Sequence, residues 1–142
     1  MKIFEDVVEG RDWGTKVNFV DQNNVFVGYD TYPQCCENAE WFIADKIATC
    51  SQDIPSKPVY SEDEFEDYVF DKEFFIRYDN RFPEESEVQQ QLTYFDEGGM
   101  VIFRIVSGDK EKFIHLYNCQ NGYYGHGFEM KVMDKITREG GL

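Results

Sequence analysis

Basic residues are scarce in this chain. Fourteen Lys and Arg stand against 28 Asp and Glu, for a formal net charge of −14. A surface of that sign repels phosphate backbones, because nucleic-acid affinity is drawn from neutralising phosphates with Lys and Arg. Anionic membrane surfaces are disfavoured on the same ground. Long apolar runs are also missing. No window approaches the roughly 18 consecutive apolar residues of a membrane-spanning helix. The stretch Met1-Lys2-Ile3-Phe4-Glu5-Asp6 has no apolar core and no small-residue cleavage site, so no signal peptide is read there. The expectation is a cytoplasmic protein with no nucleic-acid partner and no membrane partner. Its four cysteines (Cys35, Cys36, Cys50, Cys119) would then be reduced thiols.

Catalytic signatures are lacking as well. The patterns G-x-S-x-G, H-E-x-x-H and G-x-x-x-x-G-K-[ST] do not occur. A cysteine–histidine pair exists in composition only, with Cys35 or Cys36 as nucleophile and His115 or His126 as base. Cys36 precedes an expected helix start at Glu37, which would lower a thiol pKa, but the acidic surroundings raise it. The chain therefore reads as non-enzymatic, and no cofactor is expected.

Aromatics are plentiful: 13 Phe and 9 Tyr in 142 residues, within a 42% apolar fraction. That suits one domain over 1–142 with a proper core. The dominant period is two. Val17 and Phe19 share a face, as do Val25, Val27 and Tyr29, and Asp21-Gln22-Asn23-Asn24 between them is turn chemistry, so 15–30 reads as a hairpin. Phe74, Ile76 and Tyr78 alternate with Phe75, Arg77 and Asp79. Met100 to Val106 is a near-continuous apolar run, as in a strand covered on both faces. After the turn Ser107-Gly108-Asp109-Lys110, Phe113, His115 and Tyr117 face one way and Ile114 and Leu116 the other. Phe128, Met130 and Val132 form a last alternating set.

Helical signals are thin. Trp41, Ala44 and Ala48 fall near one stripe, predicting a short helix within 37–49. Ser61-Glu62-Asp63-Glu64 has the form of a capping box, with Phe65, Tyr68 and Val69 following at helical spacing. Residues 83–92 read as a loop or short surface helix, 51–58 as a connection, and 137–142 as a frayed end. The expected fold is mainly β, a β-rich α+β domain. A largely antiparallel sheet of six to eight strands, curled and barrel-like or in two layers, would carry one or two short helices.

The acids are unevenly placed. Between Tyr60 and Glu97 thirteen acids meet three bases, so about 60–97 resembles an acidic insertion. A solvated acidic face explains this most simply, and docking of a basic protein partner is the sharper reading. Mimicry of a nucleic acid is a weaker alternative.

Two segments concentrate unusual residue types. The first is Cys35-Cys36-Glu37, with Trp41 after a three-residue gap. Adjacent thiols can close a strained ring disulfide, chelate a soft metal or act as a redox pair. Structural zinc sites prefer spaced cysteine pairs, so the plainer reading is one core cysteine and one near a turn. The second is Asn121-Gly122-Tyr123-Tyr124-Gly125-His126-Gly127. Asn-Gly is a strong hairpin signal, and the later glycines suggest a bulge. The alternative is a ligand platform of aromatic faces, a histidine and exposed amides. A Cys/His cluster with His115 and Cys119 is geometrically conceivable, but nothing in the spacing demands a metal, and none is assigned. The candidate ligand-binding residues are Cys35, Cys36, Glu37, Trp41, Tyr123, Tyr124 and His126.

These two motifs, in this order, resemble a family of small bacterial and phage domains of unknown function that share a CCE-x3-W segment and a later NGYYG turn. The resemblance implies a small β-rich domain and no established activity. Two functions are carried forward: a non-enzymatic protein-interaction module, and a small-ligand or metal-binding site, conceivably catalytic, where Cys35-Cys36-Glu37 meets the Asn121–Gly127 turn.

Overall fold

Side-chain alternation builds nine strands among the described residues, and every pairing among them is antiparallel. The computed structural model describes residues 1–7, 15–32, 39–56, 58–61, 63–79, 98–119 and 125–142. The strands are β1 (Lys2–Val7), β2 (Thr15–Val20), β3 (Val25–Asp30), β4 (Ala39–Ala44), β5 (Val69–Asp79), β6 (Gly99–Ser107), β7 (Lys110–Asn118), β8 (Gly127–Val132) and β9 (Lys135–Gly141). They form a five-stranded sheet in the order β1-β2-β3-β8-β9 and a four-stranded sheet in the order β4-β7-β6-β5. Neither closes on itself among the described residues, so the layered arrangement is the one adopted, not the barrel-like one. The chain changes sheet between β3 and β4, and again between β7 and β8.

The principal core lies between the sheets. Val17, Phe19, Val27, Tyr29 and Met130 enter it from the first sheet, and Val101, Phe103, Ile105, Ile114 and Leu116 from the second. Fully burying one such side chain stabilises the fold by roughly 1.5–3 kcal/mol. The second sheet is apolar on its other face too. There Phe42, Met100, Ile102, Phe113 and Tyr117 form a second cluster with Ala48. That double burial explains the uninterrupted apolar run of β6. In β5 a register shift separates Phe70 from Phe75. The bulge absorbs the odd step between them, so both rings face the principal core while Phe74, Ile76 and Tyr78 face the outer cluster.

The predicted hairpins form. β2 and β3 pair as expected, and so do β6 and β7 across a turn with Gly108 at φ 61°. Three expectations are corrected. The segment 37–49 holds no helix among its described residues. Trp41 and Ile43 face the principal core, Phe42 and Ala44 the outer cluster, and Ala39 to Ala44 pair with Asn118 to Phe113. Burial on both faces rewards a two-residue period, and this overrides the weak helical stripe. The capping box forms in part: Glu64 Oε2 accepts the Ser61 amide at 3.3 Å, and the Glu64 amide donates to Ser61 O at 3.2 Å. It opens only a turn over 63–67, because Val69 already belongs to β5. The one helical element among the described residues is a 3-10 turn at Ser51–Asp53. Finally, 137–142 is not frayed. β9 pairs with β8, and Leu142 is fully buried, exchanging backbone hydrogen bonds of 2.9 Å with His126. The expectation for 83–92 falls outside the described residues.

Candidate functional site

Along one side of the sandwich lie β1 and β4, each an edge strand among the described residues, with 58–61 and 63–66 beside them. Trp41 of β4 anchors this region. Its indole stacks on the Tyr60 ring (5.5 Å between centroids, 23°) and meets the edge of Phe19 at 5.2 Å and 87°. Tyr60 in turn meets Phe65 edge-on at 5.4 Å. The Tyr60 hydroxyl accepts the Ile43 amide at 2.6 Å and donates to Ile43 O at 3.0 Å. It thus satisfies both backbone groups of one residue on the β4 edge, as a neighbouring strand would. Burial raises the Tyr60 pKa above the usual phenol value, and the Ile43 hydrogen bond acts in the opposite direction.

This aromatic stack borders an open cleft of about 1080 Å³. Ile3 and Phe4 of β1, Trp41, Val59, Tyr60 and Phe65 give it an apolar lining. Val59 is 92% exposed and Phe4 43%, at an otherwise acidic rim with Asp63 and Glu66. Sequence reasoning singled out Trp41 but missed Tyr60, Val59 and Phe65. The one available signal was the clustering of Pro58, Val59, Tyr60 and Phe65 between charged stretches. A second cavity of about 410 Å³ shares Trp41, Pro58 and Tyr60 with the cleft and adds Glu5, Glu40 and Tyr117. There the Tyr117 hydroxyl donates to Glu40 Oε2 at 2.7 Å. Burial and the Glu40 carboxylate both push the Tyr117 pKa up.

Cys35, Cys36, Glu37, Tyr123 and Tyr124 are outside the described residues. The residues flanking their two segments converge, however. Ala39 pairs with Asn118, and the Asp30 carbonyl lies 3.0 Å from His126 Nδ1, which donates to it. Gly98, at φ +112°, lies so close to Asn118 that a Cβ would fall 2.0 Å from the Asn118 carbonyl oxygen. His126 is 1% exposed, and its Nε2 has no hydrogen-bond partner among the described residues.

His115 is a structural residue. It is fully buried and stacks on Phe42 at 4.2 Å and 9°. Its Nε2 accepts the Ala48 amide at 3.0 Å, and its Nδ1 donates to Phe113 O at 3.1 Å. Both nitrogens are used, and burial lowers its pKa to about 4. It lies on the outer face of the second sheet and His126 in the first, so the structure does not bring the two histidines into one cluster. Among the described residues no group of three or more His, Cys, Asp or Glu is placed to hold a metal ion. No described helix is long and apolar enough to cross a membrane.

No family model, no curated protein and no solved structure matches this chain. The likeness drawn from the two motifs therefore rests on those motifs.

Proposed function

We propose that this protein is a non-enzymatic interaction module that docks another protein through the cleft between β1 and the 58–66 segment. The observation that carries this reading is the cleft itself, an open apolar trough with an exposed Val59 and a Trp–Tyr stack at its wall. A few residues, with Trp, Tyr and Arg enriched among them, carry most of the binding energy at protein interfaces. Scattered apolar residues need no explanation, but apolar side chains gathered along one cleft do. The net charge of −14 adds a preference for a basic partner. The test is a photo-crosslinking residue placed at Val59, and separately at Met133, which is 76% exposed in the β8–β9 turn. A discrete adduct is expected from Val59 alone. Equal adducts from both positions, or none from Val59, overturn the reading.

A second reading is a small-ligand or metal site between the Cys35-Cys36-Glu37 segment and the Asn121–Gly127 turn. It is favoured by the buried His126 Nε2, which has no partner among the described residues, beside the flanks of both segments. Titration of the purified protein with Co(II) tests it. Thiolate–cobalt absorption that disappears in His126→Ala supports it, and the absence of any new band in the parent protein ends it.

A further inference from the structure

The cleft and the smaller cavity share Trp41, Pro58 and Tyr60, so they adjoin along the β1/β4 side and are together called the trough. Three features of this trough bear on its occupant. First, β1 is an edge strand. Among the described residues it pairs with β2 alone, and its six residues span about 20 Å. An unpaired edge presents a row of amides and carbonyls ready to accept another strand. The β4 edge on the same side differs, because the Tyr60 hydroxyl already holds the amide and carbonyl of Ile43.

Second, the β1 pleat aims alternate residues at the trough. Ile3 lies opposite Phe19 and Glu5 opposite Val17, both core residues. The row containing Ile3 and Glu5 therefore faces inward, and a strand laid beside β1 would continue it. Every second side chain of such a strand would point into the space bordered by Trp41 and Tyr60.

Third, the charge along the trough is predominantly negative. Asp63 and Glu66 line its wider part, and Glu5 and Glu40 its narrower part. Among the described residues, Lys2 is the only Lys or Arg in either lining. An inward carboxylate on an edge strand discourages pairing with an acidic or apolar strand, including a second copy of a chain carrying −14. It does not discourage a cationic one.

We infer that the partner segment is an extended strand of alternating apolar and Lys or Arg residues, which adds to the outer edge of β1 and lays its inward side chains into the trough. Main-chain hydrogen bonds to β1 supply affinity, and the inward row is the Lys or Arg one, whose alkyl stems lie along the Trp41–Tyr60 wall while their charged heads meet the carboxylates. This rests on the trough being a docking surface.

The experiment uses the full chain and four synthetic octapeptides. One alternates Lys with Val, one alternates Glu with Val, and two are the Lys/Val peptide with N-methyl groups on alternate amides, one in each phase. Calorimetry measures affinity, and amide hydrogen exchange monitors Ile3 to Asp6. The Lys/Val peptide is expected to bind and to slow exchange along β1. N-methylation in the phase that faces β1 is expected to weaken it at least about tenfold. The Glu/Val peptide is expected not to bind, and Glu5→Lys to weaken the Lys/Val peptide about threefold or more. Equal binding of both N-methylated peptides, with the trough still occupied, overturns strand addition and leaves the docking cleft standing. Equal binding of the Glu/Val peptide overturns the charge selection. If no peptide binds while the Val59 adduct persists, the partner class alone is wrong. If the adduct is absent too, both readings fall.

Discussion

The Asp21 carboxylate joins the two sheets through the backbone of Phe70: Asp21 Oδ2 accepts the Phe70 amide at 2.8 Å. Its other oxygen, Oδ1, accepts the amides of Asn23 and Val25 at 2.9 Å each, closing the β2–β3 turn. One buried side chain thus fixes a turn in the first sheet and the start of β5 in the second. Three amide donors compensate the loss of hydration that burial imposes on the carboxylate.

Removing this clamp should therefore be costly. Asp21→Ala strips three amides, two of them in buried hydrogen bonds, of their acceptor and is expected to destabilise the protein by about 2–4 kcal/mol. Asp21→Asn keeps one acceptor oxygen but turns a donor toward an amide, so its cost should lie between that of Ala and the parent. Urea denaturation of the three proteins measures both steps. A loss under about 0.5 kcal/mol for Asp21→Ala, as for an ordinary surface substitution, contradicts the clamp.

His115 should make stability fall in acid. Burial holds its folded pKa near 4, whereas an unfolded histidine titrates near 6.5. Between these values the unfolded chain binds more protons than the folded one. Stability is therefore full above about pH 6.5, declines as the pH drops toward 4, and the loss from this residue saturates below that. Its size is on the order of 3 kcal/mol. Carboxylates titrate in the lower part of the same window, so His115→Phe serves as the reference. It removes an acceptor from the Ala48 amide and lowers stability at pH 7. The difference between parent and variant should narrow steadily from pH 6.5 to 4, and a constant difference would refute the assignment.

Tyr60→Phe isolates the hydroxyl that covers the β4 edge. The ring stack on Trp41 is kept, and both hydrogen bonds to Ile43 are lost. The expected cost is about 1–2 kcal/mol, with faster amide exchange at Ile43 than at Ile114, its neighbour on β7. Unchanged exchange at Ile43 would show that the hydroxyl does not protect the edge.

Leu142→Ala tests whether the last residues belong to the fold. A frayed end would tolerate the change without effect. Leu142 is fully buried, and its carbonyl also receives Asn118 Nδ2 at 3.3 Å. A loss of about 2–4 kcal/mol is expected from thermal or urea unfolding.

Much of the sheet was legible because a two-residue period states which face each side chain takes. The β2–β3 and β6–β7 hairpins and the β8 strand follow from Val17, Phe19, Ile114, Leu116 and Met130 alone. Where a residue's partner is remote in sequence, the pattern was silent or misleading. Trp41, Ala44 and Ala48 mimic a helical stripe, yet the first two sit on opposite faces of a strand, and the third covers the outer cluster from a loop. Thr137 to Gly141 looks too polar and glycine-rich to be ordered, but β8 supplies its ladder. His115 carries no local mark that separates a metal ligand from a core residue. Only the Ala48 amide and the Phe42 ring make the difference.

The amino-acid order by itself determined a β-rich chain, its turns and its acidic charge, because these depend on neighbours one or two residues apart. Which strands share a sheet, which edge remains open, and where Tyr60 and Asp21 make their hydrogen bonds was decided only in three dimensions. Those contacts join residues 17 and 49 positions apart, and no local periodicity encodes them.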